Sequence, residues 1–248
     1  MATPRSIGRY EILNRIGAGG MGALYLGRDP NINRLVAIKL LLHADLERPE
    51  DRERFAREAR AGGALSHPNI VTVFDYGEFD GAPFLVMEYI RGETLRELIK
   101  RNAPYTLSQK LVFLEQLCSG LAFAHDAGVI HRDIKPANLM VDSLNLLKIL
   151  DFGVARMAES GVTIGSGPVG TPGYMSPEQI QGRSLDGRSD LFAAGAVAYE
   201  LLTHRAAFTG ESQHTIMHKV LHEDPVPILS VTPEVGPEIA AVLGRVLQ

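Results

Sequence analysis

The fold is decided by one stretch in the middle of the chain, which reads Val129-Ile-His131-Arg132-Asp133-Ile-Lys135-Pro-Ala-Asn138-Leu-Met140. It follows a predicted helix that ends at Gly128, and 13 residues beyond Asn138 an apolar strand leads into Asp151-Phe-Gly153. Taken singly, Asp133 or Asp151 is as readily a helix cap or an Asx turn as a catalytic group. The stretch therefore has to be interpreted together with the motifs around it.

A second motif, Gly17-Ala-Gly19-Gly-Met-Gly22, lies between two predicted strands. Glycines at such a turn let backbone N–H groups close over phosphate oxygens, because no Cβ stands in the way. The motif alone is more often an ordinary glycine turn. A strand follows it here, whereas a helix would follow in a dinucleotide-binding fingerprint, so we expect a site of a different kind.

A third motif, Val36-Ala-Ile-Lys39, places a lysine at the end of an otherwise apolar strand. An isolated lysine of this kind usually extends its stem along the sheet edge to reach solvent. Lys39 is not isolated, since Glu58 lies on the amphipathic helix that is predicted to follow. A pair of this layout would direct the ammonium group toward phosphate oxygens.

The two halves of the chain have different patterns. Between Tyr10 and Ile90, short β-rich runs alternate with glycine and aspartate turns, and one predicted helix that begins at Pro49 interrupts them. From about Gly92 the pattern becomes helical, beginning with a capping box at Thr94-Leu-Arg-Glu97. The longer predicted helices of this half span 107–124, 190–203, 212–223 and 237–248. The sequence thus predicts an α+β fold, with a small antiparallel β-sheet lobe that carries one key helix and a larger, mainly α-helical lobe.

Composition excludes several classes of protein. The 248 residues are 45% hydrophobic and 22% charged, which is ordinary globular usage and not that of a disordered chain. The net charge of −4 provides no basic field that would attract nucleic acid or anionic lipid. A single cysteine, Cys118, excludes an internal disulfide and fits a reducing compartment. We expect no signal peptide and no membrane span, because the longest apolar run, Leu191–Tyr199, is far shorter than the roughly 20 residues that a span needs.

In their order and spacing, these motifs resemble the eukaryotic-type protein kinases from Tyr10 to about Gln248. Each motif alone is modest evidence, but five motifs in the expected order and context are very unlikely to coincide by chance. Segments 55–71 and 174–190 are most similar to the bacterial Ser/Thr kinases of this type. The resemblance implies the two-lobed protein kinase fold.

The resemblance also implies a role for each catalytic residue. Asp133 would orient the substrate hydroxyl and accept its proton, while Asn138 and Asp151 would hold Mg²⁺, with Mn²⁺ as an alternative. Lys39, paired with Glu58, would hold the α- and β-phosphates of ATP. The glycine-rich loop would cover these phosphates with Gly17, Gly19 and Gly22. The residue types fit, because carboxylate and amide oxygens are the ligands that Mg²⁺ prefers.

The adenine site is likewise implied by the resemblance. Segment 84–90 resembles the hinge between the lobes, where Met87 would be the gatekeeper and backbone groups of Glu88 to Ile90 would bind the adenine edge. The ring would be sandwiched by the side chains of Ile16, Leu24, Ala37 and Met140. For each of these residues, plain core packing is the alternative interpretation.

Two features favour serine and threonine as substrates. Lys135 resembles the lysine of the Ser/Thr branch that contacts the transferred phosphate. Gly170-Thr-Pro-Gly-Tyr-Met-Ser-Pro-Glu178 resembles the end of that branch's activation segment. Thr171 would lie beside Asp133 and Lys135 and help to select a hydroxyl substrate.

Regulation is expected in the activation segment. Arg132 and Arg156 resemble arginines that receive a phosphorylated loop through charge-assisted hydrogen bonds. The commonest phosphorylated position of the family is Gly167 here, so the hypothesis is autophosphorylation at Thr163, with Ser166 second. The alternative is a loop that is merely polar.

Two glycines, Gly62 and Gly63, lie inside the predicted helix that carries Glu58. Each costs about 0.8–1 kcal/mol relative to alanine in a helix interior. We therefore expect this helix to be weakly anchored. A bulkier residue at position 62 should raise the basal activity of the domain. Alternatively, the two glycines end the helix early.

Three other functions compete with this interpretation. A catalytically weak pseudokinase or scaffold is disfavoured because every phosphotransfer residue is present. A small-molecule phosphotransferase of kinase-like fold would lack the segment 171–178 that holds a polypeptide. A metalloenzyme is disfavoured because the eight histidines are too scattered to form a metal site. His131 is expected to support the loop and Phe152 and not to bind a metal ion.

The predicted organisation is an N-terminal extension over 1–9 and a kinase domain over 10–248, with a small lobe at about 10–90 and a large lobe at about 91–248. The expected partners are ATP, proteins that offer serine or threonine, and a second copy of the chain during autophosphorylation. We expect no nucleic acid partner, no membrane contact from this segment and a cytoplasmic location. In the family, Glu178 ordinarily pairs with an arginine beyond position 248, so the domain is also expected to be truncated at its C-terminal end.

Overall fold

The computed structural model of the chain describes residues 4–19, 22–41, 59, 62–152 and 171–248. An antiparallel six-stranded sheet, in the order β1-β2-β3-β4-β6-β5, forms the first part of the molecule. Its strands are β1 (Ser6–Ile7), β2 (Tyr10–Gly19), β3 (Gly22–Asp29), β4 (Arg34–Leu41), β5 (Val73–Phe79) and β6 (Ala82–Glu88). A smaller sheet follows, made of β7 (Gly92–Thr94), β8 (Leu139–Asp142) and β9 (Leu147–Ile149).

The hairpin between β5 and β6 shows how local sequence sets the register of the sheet. Asp80 and Gly81 have φ angles of 50° and 76°, so both turn residues adopt left-handed conformations. Such a turn matches the natural twist of two antiparallel strands and favours Asp-Gly. Phe79 pairs with Ala82 directly across it.

The second part of the molecule is mainly helical, as the sequence predicts. The described helices are α1 (Leu95–Lys100), α2 (Leu107–Asp126), α3 (Pro177–Ile180), α4 (Gly187–Thr203), α5 (Gln213–His222), α6 (Ile228–Val231) and α7 (Pro237–Val246). Thr94 caps α1 through the predicted box with Glu97, and Thr106 caps α2 in the same way with Gln109. No helix among the described residues is long and apolar enough to cross a membrane.

Helix α4 forms the centre of the helical part. Its residues contribute to both large apolar clusters, one shared with α2 and the small sheet, the other with α5 and α7. Asp190, near its N-terminal end, is fully buried in spite of its charge. A buried carboxylate has to be satisfied by hydrogen bonds, which makes Asp190 the starting point of the site described below.

Most of the helix predicted after Pro49 lies outside the described residues, and so does Glu58 on it. Residues 59, 62 and 63 are helical, and a turn begins at Ala64. Gly63 is thus the last helical residue, which agrees with the alternative that the glycines terminate the helix. The antiparallel sheet followed by a helical part confirms the predicted α+β architecture.

Candidate active site

The catalytic loop is anchored by a single buried carboxylate. Asp190 accepts hydrogen bonds from the backbone N–H groups of His131, at 2.8 Å, and Arg132, at 2.7 Å. His125, at the end of α2, contacts the same carboxylate through Nε2 at 2.8 Å. Arg132 has a φ of 70°, a left-handed conformation that a non-glycine residue adopts only when its surroundings enforce it. The hydrogen bonds to Asp190 of α4 hold Arg132 in this conformation.

A second tie joins the loop to helix α3. The side-chain amide of Gln179 donates to the backbone carbonyl of Arg132 at 2.7 Å. Gln179 also closes a capping box with Ser176 at the start of α3. The segment that follows Thr171 is therefore fixed to the residue directly before Asp133.

His131 supports the loop and Phe152, as the sequence predicts. Its Nδ1 accepts the backbone N–H of Asp133 at 3.2 Å, so Nε2 carries the proton and donates to the carbonyl of Leu150 at 2.7 Å. Its ring also packs edge-on against Phe152, with the centroids 4.7 Å apart. The histidine thus connects the loop with the segment that carries Asp151.

Three predicted catalytic residues converge at the end of the loop. The ammonium group of Lys135 lies 2.7 Å from Oδ2 of Asp133. The side-chain amide of Asn138 donates to Oδ2 of Asp133 at 2.9 Å and to its backbone carbonyl at 2.8 Å. Because its nitrogen is used in this way, the amide oxygen of Asn138 points away from Asp133. The Asp133 carboxylate is held in place and remains partly open to solvent, with 29% of the side chain exposed.

Asp151 is brought to the same place through the backbone. The N–H of Leu150 donates to the carbonyl of Asn138 at 2.8 Å. Asp151 itself has a φ of 60°, the second left-handed non-glycine residue of the site. The two residues predicted to bind a metal ion, Asn138 and Asp151, are therefore adjacent in space.

Lys39 reaches this group from the six-stranded sheet. Its Nζ lies 2.8 Å from Oδ2 of Asp151. Burial by itself would raise the pKa of the Asp151 carboxyl. The charge and the hydrogen bond of Lys39, with smaller contributions from His131 and Lys135, outweigh burial and hold that pKa below its usual range. Lys39 was predicted to pair with Glu58, which lies outside the described residues.

On the adenine side, the structure brings together four of the five predicted side chains, and Ile90 of the predicted hinge joins them. Ala37, Met87 and Ile90 are buried in one cluster, and Leu24 and Met140 pack against it. Ile16 is not part of this cluster, and 39% of its side chain is exposed. The cluster is continuous with the hinge, because Met87 and Glu88 end strand β6.

The glycine-rich loop shows where glycine is required. Gly17 and Gly19 lie in β2, and Gly22, at the start of β3, pairs with Gly19. A Cβ atom on Gly22 would lie 2.1 Å from the carbonyl oxygen of Leu40, so only glycine fits there. The remaining residues of the loop, 20 and 21, lie outside the described residues.

Thr171 lies at the start of the segment that ends in Glu178. Its backbone carbonyl accepts the N–H of Tyr174, while its side chain is exposed. Within the described ranges, Thr171 makes no hydrogen bond to Asp133 or Lys135. The carboxylate of Glu178 accepts the hydroxyl of Ser189 at 2.5 Å, a partner inside the chain that the sequence did not suggest. Arg156, Thr163 and Ser166, the remaining predicted regulatory residues, fall outside the described residues.

Near the site, sequence reasoning missed the buried charges of Asp190 and Lys148. Asp190 was recognised only as the start of a helix, although a carboxylate directly before the apolar run 191–199 is itself a signal. Lys148 stands within the apolar run 146–150, the same kind of signal that singled out Lys39, and it is buried. Among the described residues there is no group of three or more histidine, cysteine, aspartate or glutamate side chains that could hold a metal ion, so Asn138 and Asp151 are not part of a larger acidic cage.

Comparison with known proteins identifies the family. The model of the protein kinase domain matches residues 10–240. The chain is 43% identical over 236 residues to serine/threonine-protein kinase PknB of Mycobacterium tuberculosis, covering 92% of this chain and 38% of that protein. It is 41% identical over 256 residues to PknB of Mycolicibacterium smegmatis, covering 100% of this chain and 41% of that protein.

Comparison with a solved structure identifies the same family. The crystal structure of the Mycobacterium tuberculosis PknI kinase domain superposes with a TM-score of 0.77 at 28% identity, covering 100% of this chain and 91% of that one. The chain spans about two fifths of the length of the PknB relatives that it matches. Its motifs, its fold and these similarities together establish that the chain belongs to the protein kinase domain family.

Proposed function

We propose that this domain is a Ser/Thr protein kinase, which transfers the γ-phosphoryl group of ATP to serine or threonine hydroxyls of proteins. The observation that carries the proposal is the convergence of Asp133, Lys135 and Asn138 in one hydrogen-bonded group, next to Asp151 and Lys39. Phosphoryl transfer needs two oxygens held in line and charge neutralised, and needs little covalent help from the protein. This group of residues can hold the two oxygens in line and neutralise the charge.

Asp133 has the role of the base. Its carboxylate is oriented by Lys135 and Asn138, and it is open enough to meet a hydroxyl group from solvent. The hydroxyl of the substrate donates to this carboxylate and gives up its proton as the phosphoryl group is transferred. Lys135 stays within reach of the same carboxylate and contributes a positive charge beside the transferred group.

Lys39 and Asp151 have a role on the nucleotide side. Their ion pair, at 2.8 Å, neutralises both charges. When ATP binds, Lys39 turns from Asp151 to the α- and β-phosphates, supported by Glu58. The glycine-rich loop and the cluster around Ala37 and Met87 hold the remaining parts of the nucleotide.

The residues present fit a magnesium ion. Asp151 offers a carboxylate and Asn138 an amide oxygen that its hydrogen bonds leave directed away from Asp133. Magnesium usually binds one or two such protein oxygens and completes its shell with phosphates and water, so a larger protein cage is not required. When bound, the ion neutralises phosphate charge, and Mn²⁺ is an alternative of similar preference.

Specificity for serine and threonine is supported by Lys135 and by the segment from Thr171 to Glu178. Both curated relatives are named serine/threonine-protein kinases. The proposed partners are therefore ATP and proteins that offer these hydroxyls, with a second copy of the chain as the first substrate, phosphorylated at Thr163 or Ser166. The predicted lobe boundaries, at about 10–90 and 91–248, and a cytoplasmic site of action belong to the same proposal.

The test is a turnover assay with the purified chain, MgATP and a general protein substrate. We expect ADP release together with phosphoserine and phosphothreonine, and both should be lost in Asp133→Asn. Nucleotide binding without turnover would favour a pseudokinase, and turnover only with small hydroxyl compounds would favour a small-molecule phosphotransferase. A phosphopeptide map of the chain after turnover tests Thr163 and Ser166.

A further inference from the structure

Lys148 is a buried charge for which the catalytic roles above give no use. It is 8% exposed, and it is the one lysine or arginine among the described residues that is buried. A buried ammonium group is expensive unless it is paired, so its partner shows what the residue does. That partner is the hinge.

The ion pair joins Lys148 to Glu88. Nζ of Lys148 lies 2.9 Å from Oε2 of Glu88, the residue that ends β6 directly after Met87. Glu88 is held on the other side by Thr72, whose carbonyl accepts the Glu88 N–H at 2.9 Å. The Thr72 N–H also donates to Oε2 of Glu88 at 3.4 Å. The residue at which the hinge begins is thus fixed by its backbone and its carboxylate.

Lys148 itself is held in a rigid place. It lies in the middle of β9 and pairs with Met140 of β8. The next residue, Ile149, donates its N–H to the carbonyl of Asn69 at 2.8 Å and accepts the N–H of Val71 at 2.9 Å. Asp151 follows three residues after Lys148 along the chain. The strand that positions Asp151 is therefore the strand that holds the hinge.

We propose that Lys148 is a positioning residue for the nucleotide: through Glu88, it sets the distance between the hinge that binds adenine and the Asp151 end that binds the phosphates. The inference rests on the proposed function in placing adenine at residues 88–90. A rigid connection of this kind pre-forms the two ends of the ATP site at a fixed separation. Loss of the connection lets the hinge shift, and a small misplacement is sufficient to weaken binding of a ligand that spans both ends.

The expected effect is on nucleotide affinity and not on proton transfer. The groups that orient Asp133 are Lys135 and Asn138, and no hydrogen bond or ion pair among the described residues joins either of them to Lys148. A change at Lys148 should therefore raise KM for ATP and leave kcat at saturating ATP nearly unchanged. A purely structural role would instead lower kcat, the melting temperature, or both.

The experiment compares Lys148→Met, Lys148→Arg and Glu88→Gln with a control, Lys100→Met, which changes an exposed lysine at the end of α1. In Lys148→Met we expect KM for ATP, and the dissociation constant of a fluorescent ATP analogue, to rise about tenfold, while kcat stays within about twofold. Glu88→Gln should give a similar rise, and the double variant no more than either single one. Lys148→Arg should restore most of the affinity, and Lys100→Met should match the wild type.

Unchanged KM and unchanged analogue binding in Lys148→Met would overturn the proposal, and so would a fall in kcat with KM unchanged. If Lys148→Met does not fold, the nucleotide affinities of Glu88→Gln and Lys148→Arg are compared instead. Lys148→Arg retains the positive charge, and Glu88→Gln retains a group that can form a hydrogen bond. Analogue binding is measured without turnover. A wild-type chain that binds the analogue but does not turn over would therefore contradict the proposed function, and the affinities of the variants would still decide the role of Lys148.

Discussion

Lys39 and Asp151, which are 112 positions apart in the chain, form an ion pair of 2.8 Å between the six-stranded sheet and the segment after the catalytic loop. The pair joins the residue proposed to hold phosphates with the residue proposed to hold the metal ion. Under the proposed function, both groups would exchange this partner for the nucleotide and its metal ion when ATP binds. In this structure the two opposite charges neutralise each other.

The first prediction concerns Lys39. In Lys39→Met we expect kcat/KM for ATP to fall by about 100-fold or more, because the variant loses the positive charge that the phosphates meet in the transition state. ADP release under saturating protein substrate measures it. Lys100→Met serves as the control, and a Lys39→Met enzyme as active as this control would contradict the assigned role.

The second prediction is a pH dependence of stability. The pKa of Asp151 is depressed in the folded chain, so its pair with Lys39 contributes stability above the ordinary carboxyl pKa of about 4 and loses it as the pH falls below that. Lys39→Met removes the main group that lowers this pKa, so the pKa of the Asp151 carboxyl rises relative to the wild type. The stability difference between wild type and Lys39→Met should thus be largest near neutral pH and shrink as the pH falls through about 4 and below. Urea unfolding at several pH values measures it, and a difference independent of pH would contradict the ion pair.

The third prediction concerns Asp133. Asp133→Asn keeps the shape of the side chain but cannot accept a proton, so kcat should fall by about 10²–10⁴-fold. The dissociation constant of ATP should change little, since Asp133 lies on the substrate side. The control is Asp126→Asn, at an exposed position at the end of α2. Equal activity of the two variants would remove Asp133 from the reaction.

The fourth prediction tests the anchor of the loop. Asn at position 190 offers one oxygen where Asp190 accepts from His131, Arg132 and His125, and its own N–H₂ would face one of these donors. We expect Asp190→Asn to lose about 1–3 kcal/mol of unfolding free energy and to lower kcat more than KM. Thermal unfolding and steady-state kinetics measure the two effects. Retention of full activity and stability would show that the backbone conformation of the loop does not depend on Asp190.

The fifth prediction compares two neighbouring glycines. A Cβ on Gly62 would lie 3.0 Å from the carbonyl oxygen of Phe152, whereas a Cβ on Gly63 meets only Val73, at 4.0 Å. Both alanine variants gain helix propensity, up to about 1 kcal/mol. Gly63→Ala should therefore raise the melting temperature, while Gly62→Ala should lose part of this gain and alter ATP turnover by displacing Phe152. Identical behaviour of the two variants would argue against the contact.

The close approach of residue 62 to the Phe152 carbonyl also bears on the prediction that a bulky residue at position 62 raises basal activity. A leucine there has to move the Phe152 backbone before it can anchor the helix. Gly62→Leu thus raises basal activity only if the displaced Phe152 is compatible with catalysis. The comparison of Gly62→Leu with Gly62→Ala separates anchoring of the helix from displacement of the Phe152 segment.

Local features of the fold were predictable from the sequence. The capping box of Thr94 and Glu97 and the Asp80-Gly81 hairpin depend on residues within three positions of each other, and the structure confirms both. The catalytic loop was recognised for a different reason, because the order and spacing of its motifs resemble those of the protein kinases, and its internal contacts are also local. Asn138 reaches Asp133 across only five positions.

Long-range partners were not predictable in the same way. Asp190 binds the loop across 58 and 59 positions, and Lys148 meets Glu88 across 60. Nothing in the local sequence of either partner specifies the other, since only the packing of α4 and β9 brings them together. Sequence could indicate that these charges are buried and need partners, but not which partners they find.

The anchoring of the catalytic loop has a consequence for how the domain changes state. The bonds that hold the loop backbone come from Asp190 and Gln179, and those that orient Asp133 come from Lys135 and Asn138. All of these residues follow Gly92 in the chain, so the bonds among the described residues that orient Asp133 do not involve the six-stranded sheet. The nucleotide side, in contrast, depends on Lys39 leaving Asp151. We therefore expect movements of the β-sheet lobe to change the binding of ATP and to leave the orientation of the Asp133 carboxylate unchanged.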